Sequence, residues 1–211
     1  MDIRKALKLY AVTDRAWEYK RDFMLQIEDA LKGGATMLQL REKKLSFDDF
    51  LAEAYEVRKL CSRYGVPFIV NDSVEIAAKV NADGVHVGQS DLEASSARRI
   101  LGSGKIVGVT AKTPGQAAAA EKAGADYLGV GAMFDTSTKL DTKCIGPDAL
   151  NGITAAVDIP VAAIGGITKE NMPLLKGRGA AGAALVSAVF GADDIESECR
   201  TLLALSKEIF G

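Results

Sequence analysis

Eight short apolar runs alternate with eight segments of helical period along the 211 residues, and this alternation restricts the fold more than any single motif. The runs lie at Leu9–Thr13, Met37–Leu40, Pro67–Val70, Gly84–Val87, Ile106–Val109, Tyr127–Gly131, Val161–Ile164 and Gly182–Val186. The helical segments follow them in turn at Phe23–Lys32, Ser46–Tyr64, Ser73–Val80, Ala94–Leu101, Thr113–Ala123, Pro147–Val157, Asn171–Lys176 and Asp193–Ile209. Strands that are apolar throughout, rather than on alternate residues, are buried on both faces, as in a parallel sheet covered by helices. Eight β/α units close most naturally into a single-domain (β/α)8 TIM barrel spanning residues 1–211. A doubly wound open sheet is the competing arrangement. It lacks its usual signature here, because Ala11-Val12-Thr13-Asp14-Arg15 stands after the first strand in place of G-x-G-x-x-G. Ser46 followed by Asp48 and Asp49 supplies a hydroxyl cap with acids in the first helical turn, while Gly33-Gly34, Gly65 and Gly124 stand where helices stop.

The length fits one larger core. Twenty-six basic against 28 acidic residues leave a net charge of −2, so there is no basic field to gather nucleic acid or an anionic membrane, and any anion site is local. Cys61, Cys144 and Cys199 are too far apart for a zinc site or redox dithiol and read as reduced thiols. No apolar run reaches the ~18 residues of a membrane span and the first residues lack a signal peptide's apolar core, so a cytoplasmic protein is expected. The sequence leaves oligomeric state open, and a homo-oligomer is compatible with it.

Parallel α/β folds keep their chemistry at the C-terminal ends of the strands. There Gln39-Leu40-Arg41-Glu42-Lys43 leaves the second strand with period two, which puts Gln39, Arg41 and Lys43 on one side and Leu40 and Glu42 on the other. An Arg fork and a Lys point charge suit a diphosphate, and an amide below them suits a heterocycle; a solvated charge run explains the same residues. Asn71-Asp72 and Asp91 end the third and fourth strands, so two neighbouring strands each bring a carboxylate to one rim. Oxygen ligands of this kind hold Mg2+ together with substrate phosphates, although each acid also stands where a helix N-cap belongs. His86, the only histidine, rules out a His-based triad and reads best as a packed, hydrogen-bonded residue lining the site. After the sixth strand a polar loop carries Thr136, Thr138 and Lys139. Gly165-Gly166 after the seventh and Val186-Ser187 after the eighth stand where barrels commonly bind phosphate.

Taken jointly and in order, Gln39-Leu40-Arg41-Glu42-Lys43, Asn71-Asp72, Gly84-Val85-His86-Val87-Gly88-Gln89-Ser90-Asp91, Thr136-Ser137-Thr138-Lys139 and Ile164-Gly165-Gly166-Ile167 make the chain resemble the thiamine-phosphate synthase family over essentially its whole length. The resemblance implies a transferase joining 4-amino-2-methyl-5-hydroxymethylpyrimidine diphosphate to 4-methyl-5-(2-phosphoethyl)thiazole. Diphosphate is released and thiamine phosphate formed, through a pyrimidine carbocation. It also implies that Gln39 binds the pyrimidine and that Arg41, Lys43, Asn71, Thr110 and Lys139 hold the diphosphate, with Arg41, Lys43 and Lys139 as the catalytic cations. Asp72 and Asp91 would bind Mg2+; Thr136 and Thr138, with the backbone of Gly166, Val186 and Ser187, would take the thiazole phosphate. The chain departs from the family at Asp135, often proline, and at Lys112, often histidine. A thiazole tautomerase-like barrel and a catalytically silent regulatory barrel are the alternatives; the joint presence of Gln39, Arg41, Lys43, Asp72 and Asp91 favours the synthase.

Overall fold

The computed structural model describes residues 1–88, 94–136 and 144–211. Strands β1 (Leu9–Val12), β2 (Met37–Leu40), β3 (Phe68–Asn71), β4 (Gly84–Val87), β5 (Ile106–Ala111), β6 (Tyr127–Val130), β7 (Val161–Ile164) and β8 (Gly182–Leu185) form a closed parallel barrel in sequence order, with β8 returning to pair with β1. Helices pack around it: α2 (Phe23–Lys32), α3 (Phe47–Tyr64), α4 (Val74–Lys79), α5 (Ala94–Leu101), α6 (Pro114–Lys122), α7 (Asp148–Thr154) and α9 (Ile195–Phe210). Their starts obey side-chain chemistry. Ser46, Ser73, Thr113 and Asp194 each accept a hydrogen bond from an amide in the first turn of the helix that follows.

Period two sorts every strand into two layers. Leu38, Leu40, Phe68, Val70, Val85, Val87 and their counterparts point outward into the core shared with the helices. Tyr10, Val12, Met37, Ile69, Ile106, Tyr127, Ala162 and Ala184 point inward and fill the barrel. Glycines shape this interior: a side chain at Gly108 would run into the Tyr127 ring, so its absence lets Tyr127 reach across from the neighbouring strand. At the N-terminal end a helix α1 (Ile3–Ala6), capped by Asp2, delivers Ala6 and Leu7 into the interior cluster and closes the bottom of the barrel.

The expected boundaries move in a few places. β3 runs one residue further, to Asn71, and β5 two further, to Ala111, because the ladder to their neighbours continues through Asn71↔His86 and Ala111↔Val130. Thr13, Gly131 and Val186 fall just beyond their strands, and the helix expected over Pro147–Val157 is confined to Asp148–Thr154. The segment Asn171–Lys176 is a 3-10 turn over Met172–Leu175 rather than an α-helix. Pro173 has no amide to donate, and the Asn171 side chain is occupied in bonding Gly166 O and Thr168 N. α1 and α8 (Ser187–Phe190) have no counterpart in the sequence reading, being too short to display a period.

Candidate active site

The C-terminal mouth of the barrel opens into a cavity that β1 to β8 all help to line. Its floor is a run of hydrogen bonds from strand to strand: Gln39 Nε2 donates to the Tyr10 hydroxyl, which lies 2.7 Å from that of Tyr127. Tyr127 in turn lies 2.9 Å from His86 Nδ1, and His86 Nε2 lies 3.0 Å from Thr110 Oγ1. The five residues come from β2, β1, β6, β4 and β5. Burial pushes both phenols well above the usual tyrosine range, so Tyr10 and Tyr127 bond as neutral phenols. An amide NH2 can only donate, so the Tyr10 hydroxyl oxygen accepts from Gln39. His86 is packed and hydrogen-bonded through both ring nitrogens, and Gly129 leaves room beside it where a Cβ would come within 3.0 Å of the ring.

Above the floor, Arg41 lines the cavity one strand repeat beyond Gln39, while Leu40 points outward into the core and Glu42 is buried on the outer side, as the two-residue period requires. Thr13 pins this strand end: its amide donates to Gln39 O and its hydroxyl accepts from Arg41 N at 3.0 Å. Asp14 bonds the Arg41 guanidinium at 2.9 Å while capping the turn at Arg15–Trp17. Glu42 meets Arg15, whose Nε lies 3.0 Å away; the same guanidinium bonds Glu53 and stacks 4.4 Å from the centre of the Phe23 ring. Burial first, and the neighbouring Glu42 second, push the Glu53 carboxyl up to about 7.

Lys43 does not reach the cavity wall. It is exposed at the rim and bonds the Asp72 carboxylate. Asp72 has a left-handed backbone, φ 64°, and its amide donates to His86 O. Capping of α4 falls to Ser73, whose hydroxyl accepts from Ile76 N, so the capping explanation of Asp72 does not hold. Asn71 is buried beside the cavity. Of the other expected residues, Thr110, Thr136, Gly166, Val186 and Ser187 all line the cavity. Asp91, Thr138 and Lys139 lie outside the described residues.

The backbone-rich side comes from the turns after β7 and β8. Gly166 has φ 65°, and a Cβ there would strike the backbone carbonyls of Phe134 and Asp135, so close packing of two loops demands this glycine whether or not an anion approaches. Among the described residues no backbone acceptor pairs with the Gly166 or Ser187 amide. The Asp135 side chain is exposed and is not part of the cavity wall. Tyr10, Tyr127, Thr13 and Asp14 went unnoticed in the sequence reading as site residues. The two tyrosines sit inside apolar runs and read as core, and only barrel closure brings them into line with Gln39 and His86.

Known proteins resemble this chain over nearly its full length. The thiamine monophosphate synthase family profile matches residues 9–189. A thiamine-phosphate synthase of Clostridioides difficile is 47% identical over 196 residues, 93% of each chain, and one of Clostridium novyi is 46% identical over 203 residues, 96% of this chain and 98% of that one. The solved structure of thiamine phosphate pyrophosphorylase from Pyrococcus furiosus superposes with a TM-score of 0.91 at 37% identity, covering all of both chains. On this profile match and these identities over nearly the whole length, the chain belongs to the thiamine monophosphate synthase family.

Proposed function

We infer that this chain is a thiamine-phosphate synthase, a transferase that joins the aminopyrimidine diphosphate to the thiazole phosphate in thiamine biosynthesis. The observation that carries the reading is the cavity itself: its described wall contains the cations Arg41 and Lys112 and no acid, over a floor of hydrogen-bonding groups. Such a wall attracts phosphoryl groups and leaves a flat heterocycle to the floor.

Gln39, donating from its NH2 to Tyr10, keeps a carbonyl oxygen to accept from the exocyclic amine of the pyrimidine. Thr110, bonded to His86 Nε2, brings its hydroxyl to the cavity wall. Arg41 and Asn71 meet the diphosphate from β2 and β3, and Lys43 and Lys139 add charge at the rim. The donor set at the end of β3 fits a hard cation: Asp72 is a carboxylate held at the mouth and not used for capping, and Asp91 is its proposed partner. Held by Asp72 and Asp91, Mg2+ would supply positive charge to meet that of the diphosphate. Breaking the C–O bond to diphosphate leaves a pyrimidinylmethyl cation that the ring amine stabilises, after which the thiazole nitrogen supplies the electron pair for the new C–N bond. No protein nucleophile takes part. The chain holds the departing charge on Arg41, Lys43 and Lys139 and seats the thiazole phosphate against Thr136, Thr138 and the amides of Gly166, Val186 and Ser187. Three free cysteines, Cys61 and Cys199 buried among them, accord with a reducing cytoplasm.

Incubation of the chain with both substrates, with and without Mg2+, is the test. Metal-dependent formation of thiamine phosphate and diphosphate in equal amounts is expected. Isomerisation of the thiazole with no coupling would point to the tautomerase reading, and binding without turnover to the regulatory one.

A further inference from the structure

We propose that Lys112 is a further substrate-contacting residue, donating from its ammonium to a phosphoryl oxygen inside the cavity. It stands one position past β5, and period two places it on the same inward side as Thr110, with Ala111 between them buried in the outer core. The arrangement repeats that of β2, where Gln39 lies at the floor and Arg41 stands above it: β5 supplies Thr110 at the floor and Lys112 above. The two cations differ in how they are balanced. Arg41 shares its charge with Asp14 at 2.9 Å, and Lys43 at the rim bonds Asp72. Lys112 has no ion-pair partner among the described residues, and the described wall of the cavity offers it no acid. A half-buried lysine facing a space with no counter-charge is the strongest point of attraction for an anion there. Its backbone is fixed independently of its charge, since the Lys112 amide donates to Gln116 Oε1 at 2.8 Å and Thr113 caps the helix that follows.

The shared chemistry is a phosphoryl oxygen, carried either by the diphosphate or by the phosphate monoester of the thiazole. The proposal rests on the synthase reading of the cavity. Lys112→Gln removes the charge and keeps most of the length, while Lys112→Arg keeps the charge. Calorimetry on the wild type and both variants, with inorganic diphosphate plus Mg2+ in one arm and the thiazole phosphate in the other, tests it. Lys112→Gln is expected to lose about tenfold in affinity for one of the two, the size of a lost charge-assisted hydrogen bond, and Lys112→Arg to recover most of it. A loss in the first arm assigns Lys112 to the leaving group, and in the second to the acceptor. Unchanged affinity in both arms overturns the proposal, as does a loss that Lys112→Arg reproduces in full, because that marks a packing defect. A wild type that turns over both substrates while Lys112→Gln binds normally counts against Lys112 alone. A wild type that neither binds nor turns over either substrate overturns the synthase reading and this proposal together.

Discussion

At the floor of the cavity, polar groups bond to one another across five strands; at its rim, cations bond to acids. Gln39, Tyr10, Tyr127, His86 and Thr110 are mostly buried and bonded to one another in one continuous run. Arg41 with Asp14, and Lys43 with Asp72, are partly exposed pairs between long side chains, weak in water and easily exchanged for a better partner. The difference teaches a division of labour. A heterocycle needs a rigid, correctly polarised surface, whereas a departing diphosphate needs charge that can follow it.

The largest expected effect breaks the rim. Arg41→Ala and Asp72→Ala should each lower kcat about 100-fold, roughly 2.7 kcal/mol of transition-state stabilisation, because the charge they meet grows as the C–O bond breaks. Circular dichroism should be unchanged, since neither side chain is in the core. Steady-state kinetics at saturating substrate makes the measurement. A rise in KM with kcat intact would mean that the rim binds ground state and transition state alike.

The floor is broken by Tyr127→Phe, which removes the hydroxyl between Tyr10 and His86. Leaving buried groups short of a partner should cost about 1–3 kcal/mol of stability, read as a lower urea midpoint, with a larger effect on pyrimidine binding than on kcat. Gln39→Glu sharpens the comparison without emptying the floor. A carboxylate can only accept, so in a directed series every link reverses and the His86 tautomer should change with them. Because the chain has a single histidine, its ring nitrogens give one unambiguous pair of 15N signals. An unaltered tautomer in this variant would show that the links are not a directed series.

Below the rim, the Glu53 carboxyl beside Glu42 and Arg15 predicts a pH effect of modest size. Its folded value, pushed up to about 7, exceeds its ordinary value near 4.5, so its stabilising share is complete below about 4.5 and is lost as pH rises through 7. Wild-type stability should therefore decline between these pH values more than that of Glu53→Gln. Parallel thermal profiles for the two proteins would mean that Glu53 does not titrate in that window.

How far these regions were legible in the sequence depended on chain length and burial. The barrel could be read because four-residue apolar runs recur at every turn of the fold. Helices α1 and α8 could not, since four residues show no period. Period two revealed Arg41 above Gln39 and put Glu42 on the opposite side, yet it overextended Lys43, which leaves the strand and joins Asp72 at the rim. Tyr10 and Tyr127 stayed hidden because a phenol in an apolar run looks like core until closure of the barrel supplies its partner. Asp14 stayed hidden for the opposite reason: it lies in a turn, and only the fold brings it to Arg41.

Asp14→Asn gives the smallest effect and bears on how the rim works. Asn keeps an oxygen for the Ala16 amide, which Asp14 Oδ1 now receives at 2.9 Å, so the turn at Arg15–Trp17 should persist. What is lost is the charge opposite Arg41, in a pair about one-fifth exposed on each side. Such a pair contributes below about 1 kcal/mol, and for a chain of this size that moves the melting temperature by no more than about 2–4 °C. Binding gives the sharper reading. If diphosphate must take Arg41 from Asp14, removing the competitor should raise affinity for Mg2+ and inorganic diphosphate a few-fold, with the gain shrinking at high salt. A fall in affinity would mean that Asp14 aims the guanidinium, which would make the rim as preset as the floor and remove the contrast between them.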